Sequence, residues 1–240
     1  MKETIIQEAL AGNKKSIARC ISLIENNAEG NSAIAEISHQ PSSIPLIGIT
    51  GPPGAGKSSL VDAMLAVFAK QKLKVAVVCV DPSSPFHTGA LLGDRIRMNR
   101  WHDHDDFFIR SLSSRGTTGG LHPMIKEITG FLKHCSFDLV LLETVGVGQS
   151  EVDVAKLANL KVLVLVPEAG DEIQFMKSGL MEVADVFAVN KSDRPGAELF
   201  AKRLRMMAGH RPVLLVSAVN QQGIEELIAA FPVSKNKKSK

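Results

Sequence analysis

Gly51-Pro52-Pro53-Gly54-Ala55-Gly56-Lys57-Ser58 fits GxxxxGK[ST] at every fixed position, a spacing suited to gripping a chain of phosphates. Glycines let the backbone curl so that successive N–H groups point inward at an anion. Lys57 adds a cation for the β and γ phosphates, and the Ser58 hydroxyl is placed to ligate magnesium. A helix opening there offers its positive end as well. Gly51, Gly54, Ala55, Gly56, Lys57, Ser58 and Ser59 are therefore the candidate phosphate contacts, with Lys57 the first candidate for catalysis. A Gly-Pro-rich surface turn could carry the same letters. The context favours the phosphate reading, because an apolar run (46–49) precedes the motif and an amphipathic stretch (58–70) follows it.

Magnesium needs further oxygen ligands, expected at the end of a neighbouring strand. The apolar run 139–142 leads into Glu143-Thr144-Val145-Gly146-Val147-Gly148, which sets Glu143 at a strand's carboxyl end, where open α/β sheets bind ligands. The glycines after it would let the loop respond to a γ-phosphate. Asp81 ends the run 75–80, and Asp94 follows Gly93 at an expected helix start. Spacing alone leaves both aspartates open, since turn residues and N-caps are equally ordinary fates.

Asn190-Lys191-Ser192-Asp193 follows another apolar run, 186–189. This NKxD pattern suits guanine. The Asp193 carboxylate can accept from the ring N1–H and the exocyclic amine, a donor pair adenine lacks. The Lys191 stem can lie over the base, and Asn190 can brace the loop. Ser217-Ala218, after the run 213–216, could bring a backbone N–H to the guanine carbonyl. A polar turn is the plain alternative. The order of the pieces, each at a strand end, favours GTP and GDP with Mg2+.

The elements that must hold these groups form an α/β pattern. Short runs rich in Val, Ile and Leu (46–49, 75–80, 107–109, 139–142, 162–166, 186–189, 213–216) suit strands buried on both faces. Helical stretches intervene near 58–70, 93–101, 123–134, 172–183, 197–208 and 224–231. The expected fold is a P-loop NTPase, a mostly parallel sheet with helices on both faces. A small N-terminal helical segment (1–40) precedes it, with Ile17, Ile21 and Ile24 forming one stripe. The proline-flanked stretch 41–45 reads as a linker, 45–232 as the GTPase domain, and 233–240 as a disordered basic tail.

Of 240 residues, 45% are apolar and 22% charged, an ordinary globular balance. The excess of 28 basic over 25 acidic residues is partly that tail, so neither nucleic acid nor a membrane is an expected partner. Three cysteines without CxxC spacing argue against a zinc motif or a disulfide framework and for a reducing, cytoplasmic setting. No run reaches the ~18 apolar residues of a membrane span.

Together these motifs resemble the MeaB/ArgK family of GTPases, metallochaperones of adenosylcobalamin-dependent acyl-CoA mutases. The likeness runs over about 13–227 and rests on VDPSSPFHTGALLGDRIRM, SSRGTTGG, ETVGVGQSE and PEAGDEIQFMKSG. It implies that Asp81, Asp94 and Glu143 surround magnesium with Ser58, and that Gly146 senses the γ-phosphate. It also implies that 170–179, carrying Asp171 and Lys177, is an extra switch coupled to the mutase. Members hydrolyse GTP slowly alone and faster with the mutase, whose cofactor they deliver and protect. Lys177 is a candidate for a cation brought in by the partner, and equally a surface lysine of an amphipathic helix. Members usually continue into a helical arm that builds a homodimer. The arm is not in this sequence, which leaves dimerisation by that route open.

The block Trp101-His102-Asp103-His104-Asp105-Asp106 lacks a third imidazole or thiolate at useful spacing, and a solvated acidic loop is expected. Scattered histidines (His87, His122, His134) likewise weaken a nickel-inserting GTPase, one alternative. A kinase of related fold and a binding module with negligible turnover are the others.

Overall fold

The computed structural model describes residues 2–26, 32–81, 98–113, 122–144, 156–167 and 179–233. Asp94, Gly146 and Lys177 lie outside them, as do the tail 234–240 and the side chain of Asp81.

Three helices come first: α1 (Lys2–Leu10), α2 (Lys14–Glu25) and α3 (Ser32–His39). Asn13 caps α2, its side chain accepting from the Ser16 N–H. The parallel sheet then begins with β1 (Leu46–Thr50), followed by α4 (Lys57–Gln71), β2 (Val75–Asp81) and β3 (Phe107–Ser113). Next come α5 (Ile125–Leu132), β4 (Leu139–Glu143), β5 (Leu160–Leu165) and the short α6 (Leu180–Val183). The chain continues through β6 (Val186–Val189), α7 (Ala197–Ala208), β7 (Val213–Leu215) and α8 (Ile224–Ala229). The seven strands lie in the order β3-β2-β4-β1-β5-β6-β7, every pairing parallel. The sheet is the expected one, and β1 sits at its centre with its carboxyl end between those of β4 and β5.

Strand periodicity decides what faces what. Val75, Val77 and Cys79 of β2, with Leu139 and Leu141 of β4, join Ile47 and Ile49 in a core closed by α4 and α8. The alternate residues Ala76, Val78, Val140 and Leu142 face the opposite way, into a core with Ile17, Ile21 and Ile24 of α2 and Ile128 and Phe131 of α5. The N-terminal helices thus cover one sheet face. Leu163, Leu165, Phe187 and Val189 pack a third cluster against α7. Glu143, two places beyond Leu141, belongs by this alternation to the α4 side.

Strand β3 runs past the expected 107–109 because Arg110 is partnered: it donates to Glu25 of α2 at 2.5 Å. The 101–106 block departs from a solvated loop. His104 stacks on Phe107 with ring centroids 4.4 Å apart, and Trp101 meets both rings edge-on. The Trp101 indole donates to Asp62 of α4 at 2.7 Å, and Arg100 forks onto the same carboxylate. Lys14 of α2 donates to the His104 carbonyl at 2.5 Å. Among the described residues no helix is long and apolar enough to cross a membrane, and no group of three or more His, Cys, Asp or Glu could hold a metal.

Candidate nucleotide and metal site

Central strand β1 delivers the chain to residues 51–56, which turn back into α4. The turn demands glycine on geometric grounds. Gly51 has φ +144°, and a Cβ there would come within 2.1 Å of the Val164 carbonyl oxygen on β5. Gly56 has φ +84°, and its Cβ would meet Asn190 Nδ2 at 2.5 Å. Backbone therefore packs against the neighbouring strand and loop where no side chain fits. Lys57, Ser58 and Ser59 form the first turn of α4, the end of a helix whose N–H groups and dipole favour an anion. Ala55 closes the loop by donating its N–H to the Pro52 carbonyl at 3.2 Å.

Lys57 is 7% exposed and donates from Nζ to the carbonyls of Gly51 (2.8 Å) and Pro52 (3.1 Å). Its charge is thus held over the loop it belongs to, beside the N–H groups. Ser58 and Glu143, 6% and 3% exposed, meet directly: the hydroxyl donates to Oε1 at 2.6 Å. This contact joins the start of α4 to the end of β4. The Cys79 thiol reaches Glu143 Oε2 at 3.8 Å. Buried hydroxyl and carboxylate oxygens are the hard donors magnesium takes, so the residues present fit that ion. Thr144, next along, donates its N–H to the Ile49 carbonyl at 3.1 Å and its hydroxyl to that of Thr50 at 3.4 Å.

The base side comes from two adjacent loops. Asn190 donates from Nδ2 to the Ala55 carbonyl at 2.8 Å, and its Oδ1 accepts the Ala218 N–H at 3.2 Å. One amide thus ties the phosphate loop to both base-side loops. The Ala218 N–H, a candidate for the guanine carbonyl, is engaged with Asn190 here. Lys191 adopts a left-handed backbone, φ +58°. Exposed Asp193 accepts from the buried Ser217 hydroxyl at 2.5 Å. That bond, then a bond to its own backbone, holds the carboxyl below its ordinary value of 3.8, with the charges of Arg194 and Lys191 helping. An ionised, oriented carboxylate can take the paired donors of guanine.

The structure therefore brings Gly51, Gly54, Ala55, Gly56, Lys57, Ser58, Glu143, Asn190, Lys191, Asp193, Ser217 and Ala218 to one edge of the sheet. Sequence reasoning passed over Thr50, Thr144 and Cys79. Each acts through a strand neighbour, and strand pairing carries no local signal.

A central strand, a glycine loop feeding a helix, and a guanine-suited carboxylate define a P-loop nucleotide-binding protein of the GTPase class. The family model described as methylmalonyl-CoA mutase-associated GTPase MeaB matches residues 17–237, and the chain belongs to that family. The GTPase ArgK of Escherichia coli is 33% identical over 92% of this chain and 72% of its own length. A Pyrococcus abyssi protein named provisionally as a GTPase is 41% identical over 95% of this chain and 74% of its own. In Cupriavidus metallidurans a fused isobutyryl-CoA mutase is 36% identical over 81% of this chain, which is 18% of that protein. Among solved structures, an LAO/AO transport system kinase superposes with a TM-score of 0.74 at 27% identity, over 95% of this chain and 73% of that one. The hydrogenase maturation factor HypB of Archaeoglobus fulgidus, at 19% identity and a TM-score of 0.59, shares the fold. The chain spans 74% and 62% of the length of two Pyrococcus relatives.

Proposed function

We propose that this GTPase requires magnesium and serves an adenosylcobalamin-dependent acyl-CoA mutase, its nucleotide state governing delivery and protection of the cobalamin cofactor. The observation that carries the magnesium requirement is the Ser58–Glu143 contact at the mouth of the phosphate loop. Ser58 and Glu143 would hold the ion, which would supply positive charge to neutralise the phosphates. Asp81 and Asp94 complete its surroundings in this reading, through the ion's waters or directly.

Hydrolysis is attack of water on the γ-phosphorus. The bond to the β–γ bridging oxygen breaks, and GDP and inorganic phosphate leave. The protein's part is mainly placing positive charge around a loose transition state. The α4 N–H groups and Lys57 hold the phosphates, Asp193 selects the base with Lys191 lying over it, and Asn190 keeps the two halves in register. Gly146 senses the γ-phosphate, and Lys177 adds a cation when the partner binds.

The mutase half of the proposal rests on the family's description and on the Cupriavidus relative, whose name is that of a mutase and a fifth of which aligns here. Reduced, buried thiols at Cys20, Cys79 and Cys135 suit a cytoplasmic setting. The test is single-turnover GTP hydrolysis across a magnesium titration, with and without the methylmalonyl-CoA mutase holoenzyme. Turnover should vanish with chelator and rise at least about tenfold with the mutase, as expected of an added transition-state cation. Turnover indifferent to chelator would remove the metal. An unchanged rate and no complex would remove the mutase.

A further inference from the structure

We infer that Cys79 is a positioning residue for Glu143: its thiol donates to Oε2 and so keeps Oε1 turned to Ser58 and the metal side of the cleft. The inference deepens the magnesium reading above and rests on it. Cys79 and Glu143 are register partners on neighbouring parallel strands, β2 and β4. Alternation sends both side chains to the α4 face, as it does Val77 and Leu141. Cys79 is fully buried and Glu143 nearly so, with Sγ 3.8 Å from Oε2 and Ser58 Oγ 2.6 Å from Oε1.

A buried carboxylate is free to turn about its terminal torsion, which is broad and shallow. Two donors on different oxygens remove that freedom. Partners behind a ligand orient it for the metal even though they never touch the ion. The thiol at this strand position does so from the sheet, while the serine does so from the helix. Position 79 would otherwise ask only for an apolar side chain, as Val75 and Val77 on the same face of β2 show.

Hydrogen bonding and packing predict opposite rankings of substitutions. Cys79→Ser keeps a donor and loses bulk; Cys79→Val keeps bulk and loses the donor; Cys79→Ala loses both. The readout is the magnesium concentration at which each protein retains a fluorescent GDP analogue. Cys79→Val and Cys79→Ala should need roughly three- to tenfold more magnesium, the worth of one modest hydrogen bond, while Cys79→Ser stays nearer wild type. A valine variant that matches wild type while serine fails, or four equal midpoints, would overturn the inference.

A second measurement needs neither nucleotide nor metal. The S–H stretch of Cys79, isolated as the infrared difference between wild type and Cys79→Val, should shift to higher frequency in Glu143→Gln as the acceptor loses its charge. An unmoved band overturns the contact. Cys20 and Cys135 lie in the opposite core, where burial pushes their thiols up to about 11 and about 12, and they cancel in the difference. Wild type that retains no GDP at any magnesium concentration would sink the magnesium reading instead, with the infrared result still deciding the contact.

Discussion

At the phosphate end of the cleft Lys57, Ser58 and Glu143 are almost wholly buried, each held by a neighbouring carbonyl, hydroxyl or thiol. At the base end Asp193 stands exposed, and the hydroxyl of Ser217 sets its direction. Buried polar groups must find their partners within the protein, so removing one strands another at full desolvation cost. Exposed groups have water to fall back on. The phosphate end therefore joins catalysis to folding, whereas the base end can change its selectivity and leave the fold alone.

Asp193→Asn should break that contrast most visibly. An amide can donate to the extra carbonyl of xanthine, so preference between GTP and xanthosine triphosphate should shift on the order of 10³-fold with stability unchanged. Competition binding of the two nucleotides checks this, and a retained GTP preference would misplace the base reader. Lys57→Ala comes next: single-turnover hydrolysis should drop about 10²–10³-fold, the usual cost of one transition-state donor. Unchanged turnover would defeat the assignment.

Gly51→Ala tests the buried end through stability. A Cβ facing the Val164 carbonyl at 2.1 Å, on a backbone at φ +144°, should cost about 3 kcal/mol and lower Tm by roughly 6–12 °C. A melting curve like wild type would mean the loop relaxes freely. Ser217→Ala is the mildest, weakening GDP binding about two- to fivefold at neutral pH. Its pH dependence carries the sign. Asp193 is held below 3.8, so its contribution is full above that value and fades only as pH falls through the lowered one. Without the serine hydroxyl the fade should begin at higher pH, and GDP titrations between pH 3 and 5 would show it. Superimposable profiles would deny Ser217 that role.

Sequence made the phosphate loop and the guanine loop legible because both are short, contiguous and placed after apolar runs. Asn190 was readable as a brace for the same reason, although its reach to Ala55 and Ala218 needed the fold. Cys79 was not readable. It lies 64 residues from Glu143, and only the β2–β4 register makes them neighbours. The 101–106 block misled because its charges suggest solvent, while His104 finds Phe107 and Trp101 finds Asp62 on α4. The full length of β3 is hidden in the sequence because Arg110 interrupts an apolar run, and its partner Glu25 sits on α2.

The most direct test is calorimetric titration of the pure, folded chain with GDP and with ADP, each with magnesium and with chelator. The account predicts saturable heat with GDP that weakens when the ion is withdrawn, and far weaker binding of ADP. No heat with GDP, or equal heats for the two bases, would contradict it.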